Sequence, residues 1–157
     1  MYIAGHVGAA LLCYAPVAAA LVSTGQSELA VVGVVVAVAV AGLPDIDHSL
    51  PVNHRGPTHT VWFAAGVALL CGVVGWGVGT VTGNAVVLGG VIGSAVFLSL
   101  LSHLLADSIT PMGIRPFAPV SSWHWTFDIV PAANTRANAA FLSGGVGGTG
   151  LCLLFVL

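Results

Sequence analysis

The stretch Leu29–His48 reads LAVVGVVVAVAVAGLPDIDH, an apolar run that ends in two acids and a histidine. In water, the valine-rich part Val34–Val40 would favour a buried β-strand. In a bilayer the backbone must satisfy its own hydrogen bonds, and the chain has too few apolar runs to close a barrel. Valine is a poorer helix former than alanine by only about 0.5 kcal/mol. Lipid burial outweighs that preference, so the stretch predicts a membrane helix.

Composition extends this prediction to the whole chain. Of 157 residues, 57% are hydrophobic and 5% are charged, and the mean hydropathy is +1.05. A soluble domain carries roughly 25% charged residues, so an isolated soluble module is excluded. Three arginines without a lysine cannot neutralise a phosphate backbone, which excludes nucleic-acid binding. The length allows one helical domain over residues 1–157.

Apolar runs of near-spanning length recur along the chain, and a membrane helix needs roughly 20 residues. We predict an all-α integral membrane bundle of about five transmembrane helices, over Ile3–Val22, Leu29–Leu43, Val61–Val78, Ala85–Ala106 and Ala137–Leu157. The third reaches full length if Pro57 takes its first helical position. The first run lacks a basic start and a cleavage site, so we expect a retained helix rather than a signal peptide. Glycines four residues apart favour close helix packing; the pairs are Gly75/Gly79, Gly89/Gly93 and Gly144/Gly148.

Polar residues gather on one side of the membrane if the five helices alternate in direction. That side receives every histidine, every arginine and four of the five acids, and the exception is Glu28. A general preference of polar residues for loops does not explain why the opposite loops hold no histidine. It also does not explain His6, His59 and His103, which fall within the predicted helices. The pattern predicts one polar site at one membrane face.

Three motifs in this group contain residue types that bind metals. His103 and Asp107 are four residues apart, which puts both on one helix face. Pro44–His48 (PDIDH) offers two carboxylates and a histidine, and His54–His59 (HRGPTH) combines histidines with an arginine at a helix start. There Arg55 could clamp a phosphate bidentately. Each motif also has a plainer explanation: a helix-end histidine beside an acid, a polar turn, or an arginine that reaches lipid headgroups.

Taken jointly, the motifs predict a divalent metal centre with one or two ions. The candidate ligands are His6, Asp45, His59, His103 and Asp107. Zinc fits this mixed set best, with manganese or magnesium as alternatives. Asp107 would bridge the ions if two are bound. The candidate catalytic residues are Asp45, Asp47, His54 and Arg55.

The order of these motifs resembles the membrane-bound metal-dependent hydrolase family, also described as LexA-binding, inner-membrane-associated hydrolases. The resemblance runs from His6 through PDIDH, HRGPTH and HxxxD to Pro116-Phe117. That family is distantly similar to zinc-dependent phospholipase C and P1-type nucleases, which implies a metal centre on the same five ligands and a phosphate contact at Arg55. The chain departs from those enzymes in lacking a further HxxxE pair. The pair His124 and Asp128 is its nearest counterpart, with an open role.

These observations predict a membrane-embedded metal-dependent hydrolase, with phosphate esters of lipid-like molecules as substrates and a metal-activated water as nucleophile. A metal-ion or proton-coupled transporter is the first alternative, although transporter sites usually lie near the midplane. A non-catalytic membrane scaffold is the second, and homo-oligomer formation stays open. All three arginines lie on the site's side, which predicts a multi-pass protein of the inner or plasma membrane with a cytoplasmic site. Segment 116–131, rich in aromatics, predicts an irregular interfacial lid or a membrane anchor.

Overall fold

A computed structural model describes residues 1–154. Five α-helices dominate these residues, and the one strand-like feature among them is an isolated bridge between Ile114 and Trp125. The helices are α1 (Ile3–Ser23), α2 (Ser27–Val40), α3 (Val61–Thr82), α4 (Ala85–Ser108) and α5 (Thr135–Leu154). Each is long and apolar enough to cross a membrane when α2 is counted with its continuation to Ser49. The predicted five-helix membrane bundle is confirmed.

Two helix boundaries near the polar motifs differ from the prediction. The α-helical part of α2 ends at Val40, and the chain continues as a 3₁₀ helix over Leu43–Ser49. Pro44 explains the change, because proline lacks the N–H that an α-helical interior needs. The α-helical part of the third span begins at Val61 rather than at Pro57.

The α-helix of the third span starts later than predicted because Pro57–His59 forms a separate 3₁₀ turn. Thr60 then caps α3 by accepting a hydrogen bond from the Phe63 N–H at 3.2 Å. His59 therefore precedes the helix instead of lying in its first turn. At the other end of the chain, residues 155–157 of the predicted fifth span lie outside the described residues.

Helices α1, α2 and α4 pack together at the centre, while α3 lies on α4 and α5 lies on α1. Small residues allow this close packing. A Cβ on Gly145 would meet the backbone of Gly8, and one on Gly89 would lie 2.9 Å from the Gly72 carbonyl oxygen. Gly144, by contrast, faces open space, so the predicted pair with Gly148 was wrong in register by one residue.

The segment between α4 and α5, residues 109–134, is irregular as predicted and is called the fourth link below. Its backbone is tied to the bundle: the Val61 N–H donates to the Pro116 carbonyl at 2.9 Å. Aromatic side chains pack along it in the order Phe117, Trp123, Trp125 and Phe127; the first two pairs stack, the third is edge-to-face, and Trp125 is only partly exposed. Such a row suits the depth of lipid headgroups.

Candidate metal centre

Four side chains from three parts of the chain converge at one end of the bundle. His103 and Asp107 come from the end of α4, Asp45 from the 3₁₀ helix after α2, and His59 from the 3₁₀ turn before α3. One ligand atom of each lies within 4.8 Å of the others. Both histidines and Asp107 are buried, while Asp45 is partly exposed. The alternation of helices brings together residues that are up to 62 positions apart in the sequence.

The spacing of these atoms suits a tetrahedral ion. The two histidine Nε2 atoms are 3.3 Å apart. Asp107 Oδ2 lies 3.3 Å from His59 Nε2 and 3.6 Å from His103 Nε2, and Asp45 Oδ1 lies 3.5 and 3.6 Å from the same two atoms. A tetrahedron's edge is about 1.63 times its centre-to-vertex distance, so these edges correspond to about 2.0–2.2 Å, the usual range for Zn–N and Zn–O bonds.

Hydrogen bonds at Nδ1 of His59 and of His103 orient both rings so that their Nε2 lone pairs point toward the same position. His103 Nδ1 donates to the Ala41 carbonyl at 2.8 Å. His59 Nδ1 lies 3.1 Å from the Thr58 hydroxyl, which donates onward to Asp47 Oδ2 at 3.3 Å. With Nδ1 as the donor in each ring, Nε2 is free to bind a metal, which is the usual arrangement behind metal-binding histidines.

The site attracts positive charge even without an ion. Burial by itself lowers the pKa of His59, but the adjacent carboxylates of Asp107 and Asp45 outweigh burial and hold that pKa above its usual value. Asp107 Oδ2 is buried without a hydrogen-bond partner among the described residues. Two imidazoles and two carboxylates thus form a donor set that fits a divalent ion.

His6 extends the cluster on one side. Its ring stacks on His103 with centroids 3.6 Å apart and planes inclined by 9°. His6 Nε2 lies 3.7 Å from Asp107 Oδ1 and 3.9 Å from Asp45 Oδ2, the carboxylate oxygens that face away from the first group. Neither ring nitrogen of this buried histidine has a hydrogen-bond partner within the described range. The five predicted ligands therefore lie together, and each carboxylate lies within 4.0 Å of His6 as well as of His59 and His103.

Asp47 lies behind the cluster instead of in the open cleft. Its side chain has 0% relative exposure. Oδ1 lies 3.0 Å from His54 Nδ1, and Oδ2 accepts from the Arg55 N–H at 2.8 Å and from the Thr58 hydroxyl. Both carboxylate oxygens are occupied by groups of the protein itself, so Asp47 holds those groups in position and does not face the cleft. His54, whose side chain is 33% exposed, does reach the cleft. Asp45, Asp47, His48 and His54 form a second group with metal-ligand spacing.

Arg55 points inward, which differs from the phosphate clamp expected of it. Its Nη2 donates to Asp107 Oδ1 at 3.1 Å, and its Nη1 donates to Thr110 Oγ1 at 2.8 Å and to the Gly113 carbonyl at 3.0 Å. The side chain is 7% exposed. Its backbone has a positive φ of 57°, a left-handed conformation uncommon for a residue with a side chain. Arg55 thus ties a candidate metal ligand to the fourth link.

Two clefts give access to this end of the bundle. The smaller, about 190 Å³, is lined by Asp45, His48, His54 and Arg55 among others. The larger, about 320 Å³, lies between the fourth link and residues His54–Pro57, called the HRGP loop below. His124 lines this second cleft, whereas Asp128 belongs to neither group with metal-ligand spacing in the described residues.

Sequence reasoning missed three groups that orient the site: Thr58, the Ala41 carbonyl and the amino group of Met1. That amino group donates to Asp107 Oδ1 at 2.8 Å. Thr58 lies inside the HRGPTH motif, so its position beside His59 was a usable signal. The other two are backbone groups, which no residue pattern indicates.

The fold and this cluster define a class: a multi-pass membrane protein with an Asp/His group that could hold a metal ion. The chain belongs to the family described as YdjM inner membrane protein, whose family model matches residues 1–157. Comparisons with curated proteins and with solved structures find no match. The inner-membrane part of the resemblance seen in the sequence is thereby confirmed. The metal-dependent hydrolase part of that resemblance and the likeness to zinc-dependent phospholipase C and P1-type nucleases stay predictions.

Proposed function

We propose that this protein is a membrane-embedded, metal-dependent hydrolase that acts on phosphate esters of lipid-like molecules. One observation carries the proposal: two imidazole nitrogens and two carboxylate oxygens converge with spacings of 3.3–3.6 Å beside a cleft. The location at one end of a membrane bundle supports a substrate that resides in the bilayer.

Zinc is the proposed ion, because the donor set is half imidazole and five of the six spacings among the ligand atoms match the edges of a tetrahedral zinc site. Manganese is the alternative, whereas magnesium prefers six oxygen ligands. A divalent ion supplies polarisation of a phosphoryl oxygen and acidification of a coordinated water. His59, His103, Asp45 and Asp107 would hold it. His6, with the outer oxygens of Asp45 and Asp107, would serve a second ion.

His54 is the proposed proton carrier. Its Nδ1 lies 3.0 Å from Asp47 Oδ1, which favours a tautomer that donates from Nδ1 to the carboxylate. Nε2 is then free to accept a proton, and His54 lines both clefts. A buried carboxylate behind a histidine is the arrangement that fixes the ring of a general base in hydrolases. Asp47 would act through His54 and His59 and would not contact the substrate.

The test combines metal content with hydrolysis in the purified full-length protein. We expect stoichiometric zinc by elemental analysis, and hydrolysis of bis-p-nitrophenyl phosphate that chelation abolishes. His103→Ala and Asp107→Asn should lose both, since each removes a ligand. Asp128→Asn, an exposed acid outside the cluster, is the control and should keep both. The absence of stoichiometric metal from the wild-type protein would refute the proposal.

The transporter and the scaffold are outcomes of the same experiments. Metal flux into proteoliposomes by a protein that binds zinc but hydrolyses nothing would favour a transporter. Neither flux nor turnover, with zinc bound, would favour a structural role. We further propose that the site faces the cytoplasm, from the positive-inside rule applied to Arg55, Arg115 and Arg136. Labelling of Ser122→Cys by an impermeant maleimide in intact cells, in a variant without natural cysteines, would contradict that orientation.

A further inference from the structure

The second cleft contains an arginine that the metal centre does not use. Arg115 lies on the fourth link, is exposed, and lines the cleft of about 320 Å³ next to the HRGP loop. Its side chain makes no hydrogen bond or ion pair with any of residues 1–154. Arg55, which lines the same cleft, has both terminal nitrogens committed to Asp107, Thr110 and Gly113. Arg115 is therefore the arginine that is free to meet a ligand.

The cleft's other walls would not repel an anion. None of the described residues that line it is acidic, and the polar ones include His54, Arg55, Arg115 and His124. His124 Nε2 donates to the Met112 carbonyl at 2.8 Å, which holds the ring in place. A guanidinium that is accessible and unpaired binds phosphate or carboxylate oxygens bidentately.

The same cleft joins an apolar groove. Gly56 and Ala118 line both the cleft and a neighbouring cavity of about 590 Å³ whose walls include Trp62, Phe63 and Pro119. Trp62 lies in the first turn of α3 and is 53% exposed. An aromatic side chain at the end of a membrane span lies at headgroup depth. The groove thus runs from the cleft to the start of α3, where that span enters the membrane.

The cleft also joins the metal centre. His54 and Arg55 line both this cleft and the smaller one that contains Asp45. Along the surface the order is metal ligands, anion-binding cleft, apolar groove. An amphipathic molecule with a negatively charged headgroup matches that order of charge and polarity.

We propose that Arg115 binds the anionic headgroup of a lipid whose hydrocarbon part lies against Trp62, Phe63 and Pro119. This inference rests on the proposed function, since it names the substrate class of that site. It makes Arg115, and not Arg55, the arginine that recognises the headgroup.

Binding is measured by calorimetry on the full chain in nanodiscs of zwitterionic lipid, with EDTA present so that no metal contributes. The probes are dihexanoyl phosphatidic acid, glycerol 3-phosphate and dihexanoylglycerol, which separate the charged lipid from its free headgroup and its neutral backbone. We expect phosphatidic acid to bind most tightly. Arg115→Gln should weaken its binding about 10- to 100-fold, the usual effect of losing a hydrogen bond to a charged group. Arg136→Gln, on the same side of the membrane, should leave it unchanged.

The groove has its own pair of variants. Trp62→Ala should weaken phosphatidic acid binding about fivefold or more without changing the affinity for glycerol 3-phosphate. Trp76→Ala, near the other end of α3, should change neither. Equal effects of the two arginine variants would overturn the role of Arg115. Equal binding of phosphatidic acid and glycerol 3-phosphate would overturn the groove as the hydrocarbon site.

Hydrolysis by the zinc-loaded protein is scored separately. If the protein binds phosphatidic acid through Arg115 but hydrolyses no phosphate ester, the proposed hydrolase fails while the lipid site stands. If it hydrolyses phosphate esters and Arg115→Gln changes neither binding nor KM, the lipid site fails while the hydrolase stands.

Discussion

Asp47→Asn should weaken zinc binding without removing a zinc ligand. The wild-type carboxylate accepts hydrogen bonds from the Thr58 hydroxyl at 3.3 Å and the Arg55 N–H at 2.8 Å, and its other oxygen meets His54 at 3.0 Å. Thr58 in turn meets His59 Nδ1 at 3.1 Å. The negative charge of Asp47 therefore fixes the proton of His59 on Nδ1 and makes Nε2 a stronger ligand.

The expected loss of zinc affinity depends on which hydrogen bonds of Asp47 an asparagine can still make. Loss of a group that orients a metal ligand costs about 10- to 100-fold in affinity, or about 1.4–2.7 kcal/mol. Asparagine has the same shape and retains one oxygen, which can still accept from Arg55 and Thr58. Its amide replaces the oxygen that faces His54. We therefore expect a loss near the lower end, about tenfold, with the bound zinc still reaching wild-type stoichiometry at saturation.

The assay is a competition titration against a chromophoric zinc chelator, on protein purified in detergent. Asp128→Asn controls for the general loss of one negative charge, and Asp107→Asn gives the result expected when a ligand is lost. Wild-type affinity in Asp47→Asn would refute the orienting role. A reduced zinc stoichiometry at saturation would also refute it, because Asp47 would then bind the ion directly.

Two further predictions concern the helices that hold the site. Gly145→Ala should destabilise the protein by about 1–3 kcal/mol, because its Cβ would lie 2.7 Å from Gly8 Cα. A Cβ on Gly144 would meet nothing within 4 Å, so Gly144→Ala is the control and should not lower the melting temperature. Equal melting temperatures of the two variants would contradict the α1–α5 contact. Asn138→Ala removes one bond from the Tyr2 N–H and two to backbone carbonyls, at 2.8–3.0 Å. At about 1 kcal/mol each we expect a loss of about 3 kcal/mol in denaturant unfolding, and a loss under about 0.5 kcal/mol would mean that water replaces these bonds.

The fold and the membership of the site were accessible from the sequence for a common reason. Hydropathy defines membrane helices well, because the bilayer forbids unpaired backbone. Once five helices alternate, their order alone decides which ends share a face. That step brought His6, His59 and His103 together with Asp45 and Asp107, and the structure has them in contact. The motifs then selected these five from all the polar residues on that face.

The direction of individual side chains was not accessible in the same way. Asp45 and Asp47 are two residues apart, yet one lies in the cluster and the other behind it, because the chain there is a 3₁₀ helix and not a loop. Arg55 turns inward from a backbone with positive φ. Hydropathy carries no information about either conformation. Motif chemistry correctly selected the residues near the site, but it could not separate groups that face the cleft from groups that support it.

The cluster's charges indicate why such a site is stable at the end of a membrane bundle. The cluster holds three buried or partly buried carboxylates, and within residues 1–154 the Arg55 guanidinium and the Met1 amino group both pair with Asp107. The negative charge of Asp45 and Asp47 would be costly to leave unbalanced at this depth. Either a metal ion or protons on the histidines can balance it, and the carboxylates that raise the pKa of His59 favour its protonated form when no ion is bound. Since protons and metal compete for the same nitrogens, the metal-free bundle can persist, and loss of metal should end the proposed hydrolysis without ending the fold.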